Sequence, residues 1–422
     1  MPLTRLAVLR IFAAALMLTA MVVAPLAAGR ATTGVEPEES VQQDFSAWLA
    51  GLKAEARSKG ISQQTLEAAF RDIEPIPRIL ELDRRQPEFT LTFGTYLSKA
   101  VTDERVEKGR ELLKRHADLL ARVQARYGVQ ARFLVAFWGL ETNFGAYFGS
   151  FPVIGALATL AHDTRRSEFF RSELMHALSI LEAGDIPPAR MEGSWAGAMG
   201  HLQFMPSTFV RYAVDRDGDG RRDIWGSLPD VFASAANYLS SIGWRGDETW
   251  GREVRLPEGF DYRLVSVASV PENQKPIAEW QRLGVRRADG SDLPGADMSG
   301  GIVLPSGVEG PAFLVYTNYR KILNWNRSIF YAIAVGHLAD RIIGLPPLAT
   351  PPPMVGDPLS RDEVEEIQAL LRRVGFDAGE PDGRIGPMTR NAIRQFQMSR
   401  DLPADAYADR RLLNRLRTAS VK

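Results

Sequence analysis

No cysteine occurs in the 422 residues. Disulfide scaffolds, Cys-ligated metal sites and thiol catalysis are therefore excluded, and no lipid anchor on an N-terminal cysteine is expected. Histidine is scarce: there are five, and none sits in a close pair with metal-ligand spacing. Charge of one sign is also missing, since 51 Lys+Arg balance 51 Asp+Glu. A polyanion binder normally carries a basic excess, so nucleic acid is not an expected partner. Beyond residue 30 no apolar run is long enough to span a bilayer. What is present is ordinary for a chain that buries a core: 45% hydrophobic and 24% charged residues. That balance excludes a largely disordered protein, and the length suggests two or three domains.

Residues 1–10 carry Arg5 and Arg10 and no acid, and residues 11–28 (IFAAALMLTAMVVAPLAA) are apolar and small. This is the n-, h- and c-region pattern of a signal peptide with its exit near Ala27, Ala28 and Gly29. Pro25 and the Ala-rich end favour cleavage over an uncleaved anchor. The expectation is export to the periplasm, with stability resting on core size and not on covalent staples.

Residues 41–128 read as helices. Val41, Phe45, Trp48, Leu49 and Leu52 fall at helical spacing, as do Leu112, Leu113, Leu119, Leu120 and Val123, closed by Gly128. Residues 130–141, 163–183, 206–213, 230–242 and 328–342 read as helical too. Between 253 and 316, Gly and Pro become frequent around the β-type runs RLVSVASV, GIVLP and AFLVY. GLPPLATPPPMVGDP is a proline-rich segment, expected to be extended and stiff. The resulting division is a signal peptide at 1–30, a body at 36–345, a linker at 346–358 and a compact helical tail at 359–418.

The sharpest chemical signal is Glu141, at the end of the apolar run FLVAFWGLETNFG. Leu134, Phe137 and Trp138 lie seven, four and three residues before it and share its helix face. Asn143 and Gly145 mark the helix stop, which places Glu141 in the last turn. Apolar neighbours and the negative end of the helix dipole both raise a carboxyl pKa. A carboxylic acid kept protonated near neutrality suits a general acid for glycosidic cleavage. A rim glutamate paired with an arginine is the plainer alternative. A second carboxylate is usual in glycosidases, but Asp163, Glu168, Glu173 and Glu192 all read as charged, solvated positions.

Two further clusters follow. In GSWAGAMGHLQFMPSTF, glycines and alanines around Ser194 and Trp195 let backbone approach a ligand. Gln203 offers both a donor and an acceptor there, and Phe204 and Met205 add apolar contact. The combination suits a neutral polar ligand such as a sugar, or else a tight turn packed on the core. In DRDGDGRRDIW, the residues Asp215, Asp217, Asp219, Gly220, Arg221 and Asp223 match positions one, three, five, six, seven and nine of an EF-hand-like loop. Position twelve is Gly226, so Asp230 is the expected substitute for the closing glutamate. Ca²⁺ is the metal this spacing implies, Arg221 contributing its carbonyl; a solvated Asp-rich turn is the alternative. No organic cofactor is expected.

GLETNFG, SWAGAMGHLQFMPS, the DGDG loop and WNRSIFYAIAVGHLADRI, in this order, resemble the lytic murein transglycosylase B family over residues 40–345. The resemblance implies a lysozyme-like catalytic core in a larger, mainly α body with a small β-rich insertion. Glu141 matches the family's catalytic acid/base. Ser194, Gln203 and Phe204 match its substrate-groove residues, and Asn326 and Tyr331 match positions that line the site. Trp325 stands where the best-known members have tyrosine, so the ring is kept and the hydroxyl is lost. The tail, VEEIQALLRRVGFDAGEPDGRIGPMTRNAIRQFQ, looks like a three-helix peptidoglycan-binding domain with Leu370, Leu371, Ile393 and Phe396 as core and a helix capped near Thr389. Its second half, DLPADAYADRRLLNRL, lacks the usual glycines.

The implied function is a periplasmic enzyme that cleaves the MurNAc–GlcNAc bond of peptidoglycan without water. A water-using muramidase and a non-catalytic wall-binding scaffold are the alternatives. Glycan strands are the expected partner, with cell-wall synthesis or division proteins as further candidates and a monomeric chain expected.

Overall fold

The computed structural model describes residues 38–84, 91–163, 166–266, 273–354 and 358–420. The proposed signal segment lies outside them. Among the described residues, no helix is long and apolar enough to cross a membrane. The described residues form seventeen α-helices and seven short strands, so they are mainly helical. The described residues form two compact units, one of those within 38–86 and 137–238, the other of those within 87–136 and 239–420.

The first unit is built around Val153–His162, in which every residue from Val153 to Ala161 is buried. A helix apolar on all sides belongs inside a core, and it shows no stripe to read. Sequence periodicity therefore missed it. Ser167–Glu182 packs along it and also touches Gln63–Ala69 and Pro206–Tyr212. Phe45, Leu49 and Leu52 of Glu38–Ser58 are buried, as their spacing requires.

In the second unit, the stretch read as one helix is two. Asp103–Arg115 and Ala117–Tyr127 meet at His116, which leaves helical geometry, and Gly128 closes the second in the left-handed conformation. A five-stranded antiparallel sheet follows, in the order Lys275–Pro276, Ser299–Val303, Ala312–Val315, Gly251–Arg255, Arg286–Arg287. GIVLP and AFLVY supply two of its three inner strands. The described part of RLVSVASV is instead a 3₁₀ turn followed by a single bridge, Val265 to Ile302. Trp280, Tyr316, Leu314, Ile302 and Val285 form the core under the sheet. Thr317–Trp325 and Ile329–Ile342 pack on each other, and Gly336 admits Trp250, whose ring would lie 2.1 Å from an added Cβ. The Trp250 indole and Arg132 both donate to Asp340, each at 2.9 Å.

Three helices, Arg361–Arg373, Pro387–Met398 and Arg410–Ala419, enclose the tail's own core of Leu359, Ile367, Leu371, Ile393, Phe396 and Leu416. Ser360 and Glu363 form a capping box on the first helix. The second starts at Pro387 with Gly386 as its N-cap, so Thr389 is not the cap. Its hydroxyl donates to the Ala378 carbonyl at 3.2 Å. Buried Gln368 fixes the preceding turn: its Oε1 accepts from the Asp382 and Gly383 N–H groups, each at 3.0 Å. Asp401 and Ala406 take left-handed backbone angles in the glycine-poor half.

The proline-rich segment lies against the body. Glu253 accepts the N–H groups of Ala349 and Thr350, each at 2.7 Å. The tail is docked as well. Arg411 grips Glu309 with two bonds, Asp405 accepts from the Val308 N–H at 3.1 Å, and Arg394 donates to the Val265 carbonyl.

His337 is buried in Ile329–Ile342, and burial next to Arg341 pushes its pKa from 6.5 to about 4. An imidazole protonated more readily in the unfolded chain gives stability above its unfolded pKa that is lost as pH falls. Acidification from about pH 7.5 to about pH 5 is expected to cost about 2 kcal/mol from this group. The melting midpoint over that range should fall less in His337→Gln than in the wild type; equal falls would show that His337 is not the source.

Candidate active site

Glu141 occupies the last turn of Ala131–Thr142 and is half-buried, while Leu134, Phe137 and Trp138 before it are buried. Asn143, Phe144 and Gly145 then all adopt left-handed backbone angles. The helix thus ends abruptly: the Phe144 N–H reaches the Trp138 carbonyl at 3.1 Å, and the Tyr147 N–H reaches that of Thr142 at 3.1 Å. Two non-glycine residues in that conformation store strain of the kind that gathers at functional sites.

The GSWAGAMGHLQF segment braces this turn. Gln203, itself left-handed and buried, donates its amide hydrogens to the Phe148 and Gly200 carbonyls, each at 3.0 Å. Its donors are thereby spent on backbone, and its oxygen is the end it can offer a ligand. Ser194 is buried and accepts the Ala198 N–H at 3.0 Å, which leaves its hydroxyl proton as donor. The segment is the tight turn that one of its two readings expected. Phe204 is buried with its ring 5.9 Å from that of Tyr238, whose phenol burial pushes up to about 12.

The four acids considered as a second carboxylate are placed differently from one another. Glu173 is buried, contrary to the sequence reading, because it caps Pro206–Tyr212 by accepting the Ser207 N–H at 2.9 Å and hydroxyl at 2.6 Å. Asp163 lies 3.6 Å from Arg84. Glu168 and Glu192 are exposed.

In the acidic loop, ligand atoms of Asp215, Asp217 and Asp230 come within 4.8 Å of one another. Asp230 is buried and accepts N–H groups of Arg216 at 2.7 Å, Asp217 at 3.3 Å and Asp223 at 2.8 Å. Burial pushes its pKa up, and the bonds from Arg216 and Asp223 oppose that. Asp219 and Asp223 stand outside this group. Asp219 accepts the Arg221 N–H at 2.8 Å, and Asp223 accepts those of Trp225 and Gly226, each at 2.8 Å. Arg222 anchors the loop by two side-chain bonds to buried Asp185, at 3.2 and 2.6 Å.

Trp325, Asn326 and Tyr331 lie in the second unit, where Thr317–Trp325 gives way to Ile329–Ile342, and all three are buried. Asn326 accepts the Ser328 N–H at 3.0 Å, and Ser328 caps the helix that carries Tyr331.

The Transglycosylase SLT domain family matches residues 44–340. The membrane-bound lytic murein transglycosylase B of Escherichia coli (strain K12) is 32% identical over 301 residues, which cover 67% of this chain and 79% of that protein. The chain belongs to the lytic transglycosylase family. It is an enzyme of the kind that cleaves peptidoglycan. A peptidoglycan binding domain family matches residues 360–416. The crystal structure of SltB3 from Pseudomonas aeruginosa, in complex with NAG-anhNAM-pentapeptide, is 46% identical with a TM-score of 0.85, covering 89% of this chain and 100% of that one. The Escherichia coli lytic transglycosylase Slt35 in complex with calcium is 27% identical with a TM-score of 0.58, covering 74% and 98%. The lysozyme-like, mainly helical fold implied by the motifs agrees with these structures.

Two neighbours of the candidate acid were not singled out from sequence. Thr142 is buried and its hydroxyl donates to the His201 carbonyl at 3.1 Å. The ring of His201 accepts the Trp138 indole N–H at 2.7 Å. A buried indole N–H needs an acceptor, so Trp138, read only as apolar surface, was the available signal. For Tyr238 the sequence held no signal.

Proposed function

We propose that Glu141, protonated, gives its proton to the oxygen linking N-acetylmuramic acid to N-acetylglucosamine. The substrate's own N-acetyl oxygen attacks the anomeric carbon as the bond breaks. Glu141, now a carboxylate, takes the proton of the muramic 6-hydroxyl, whose oxygen displaces the N-acetyl group and closes a 1,6-anhydro ring. One residue is acid and then base. The observation carrying this reading is the placement of the other acids: Glu173 is committed to a helix cap, Asp163 to Arg84, and Glu168 and Glu192 to solvent. Ser194, Gln203 and Phe204 are proposed as sugar contacts, as are Trp325, Asn326 and Tyr331 on the strength of their motif. Digestion of purified sacculi followed by mass analysis tests the product. Ends lighter than hydrolysed ends by one water are expected; reducing ends of full hydrolysed mass would make the enzyme a water-using muramidase.

The acidic loop fits a calcium ion. Three hard carboxylate oxygens converge there, a donor set suited to a hard cation. Asp215, Asp217 and Asp230 would hold it, with Asp219, Asp223 and the Arg221 carbonyl completing the set after local rearrangement. Its contribution would be structural. The motif pattern of the first 30 residues supports export to the periplasm.

Residues 359–418 are proposed to retain the enzyme on peptidoglycan. Deleting 359–422 is expected to weaken co-sedimentation with sacculi about tenfold while turnover of short soluble glycans continues. Undiminished pelleting would assign the tail another role.

A further inference from the structure

The loop that follows Glu141 and the acidic loop are joined through one residue. His201 sits between Gly200 and Leu202 in the GHLQ segment and is buried. Its ring Nδ1 accepts the indole N–H of Trp138, one helical turn before Glu141, at 2.7 Å. An indole nitrogen only donates, so Nδ1 carries the lone pair and the neutral ring bears its proton on Nε2. The His201 carbonyl accepts the hydroxyl of Thr142, the residue after Glu141, at 3.1 Å. That hydroxyl also receives the Gly145 N–H at 3.0 Å. An added Cβ on Gly145 would lie 2.2 Å from the His201 ring, and the Phe148 ring meets it edge-on at 4.5 Å. The turn after the acid is thus moulded on this ring.

The other side of His201 belongs to the acidic loop. Its backbone N–H donates to the Ile224 carbonyl at 3.0 Å. The Asp223 carboxylate and the Trp225 backbone favour the protonated ring, against the larger effect of burial. Gly200, left-handed, brings the segment so close that an added Cβ would lie 2.6 Å from the Ile224 oxygen.

We propose that His201 is a positioning residue: it holds the residues on either side of Glu141, Trp138 and Thr142, in register with the acidic loop, and so sets the direction of the Glu141 carboxyl. This rests on Glu141 being the acid. Burial keeps the ring neutral, with a pKa of about 4, which the indole bond requires. No proton of His201 enters the reaction. Misplacing a reacting group by a fraction of an ångström lowers turnover far more than binding.

The test measures kcat and KM on a soluble tetrasaccharide of alternating N-acetylglucosamine and N-acetylmuramic acid. His201→Leu should lower kcat about tenfold or more with KM within about twofold. His201→Gln, whose amide oxygen can accept the indole proton, should recover most of the loss. Trp138→Phe should resemble His201→Leu, and the double variant should be no worse than the poorer single one. Losses that multiply, or a His201→Leu kcat within about twofold of wild type, would overturn the proposal. If His201→Leu fails to fold, Trp138→Phe alone carries the test, and a kcat within about twofold of wild type for it would overturn the proposal. An independent readout is the Trp138 indole signal in a ¹H–¹⁵N spectrum. Asp223→Asn should move it in the wild-type background and leave it in place in His201→Leu; an unmoved signal in both removes the link to the loop. Glu141→Gln is the parallel control. If it is active, the reading of Glu141 fails and this inference with it. If it is inactive while both His201 variants turn over normally, only the positioning role fails.

Discussion

Glu141→Gln is expected to lower turnover on sacculi about a hundredfold or more while leaving the fold intact. The amide keeps the volume and planarity of the carboxyl but has no proton to give to the leaving oxygen. It also cannot serve as base for the 6-hydroxyl, so both halves of the reaction lose their catalyst. The fold should tolerate the change. Glu141 is only half-buried, and the buried neighbours Phe137, Trp138 and Thr142 make the contacts that secure the helix end. Stability should stay within about 0.5 kcal/mol of wild type. The measurement is the rate of release of anhydro-ended fragments, with circular dichroism as the folding control. Wild-type release by a folded Glu141→Gln would remove the proposed acid; equal loss with a collapsed spectrum would move the effect to structure.

The helix end that carries Glu141 was legible because its signals are local. An apolar run, a polar residue in its last turn and an Asn-x-Gly stop lie within thirteen residues of sequence, and the helix Ala131–Thr142 ends where they say. The acidic loop was legible for the same reason, down to Asp230 as the residue that joins Asp215 and Asp217. Non-local bonding was not legible. Glu173 read as solvated, and nothing in its own helix reveals that Ser207 would take both its oxygens. Gln203 was read as donor and acceptor, yet backbone carbonyls consume its donors. Thr317–Trp325, which carries the aromatic residue before Asn326, was not read as a helix at all; it follows directly on the strand Ala312–Val315 with no proline or glycine between them. The proline-rich segment was read by composition as a stiff spacer, but composition cannot show that Glu253 holds two of its N–H groups.

Asp230→Ala should be the most damaging single change in the acidic loop. The carboxylate is buried in the first turn of Leu228–Ser241 and takes N–H groups from Arg216, Asp217 and Asp223. Those three amides span both arms of the loop, so one side chain closes it. Alanine would leave three part-buried donors without their acceptor, at about 1 kcal/mol each, for a local cost of about 3 kcal/mol. It also removes the favourable charge at a helix N-terminus. Asp230→Asn keeps one acceptor oxygen and should cost about half as much. Global unfolding of a chain with two units need not be two-state, so the informative quantity is hydrogen exchange at the Arg216, Asp217 and Asp223 amides, which reports local opening. All three should lose protection together in Asp230→Ala. Calcium at millimolar concentration should raise their protection in the wild type by mass action and should do so in neither variant. Independent changes at the three amides would mean that Asp230 does not close the loop, and a full calcium response in Asp230→Asn would exclude its charge from the metal site.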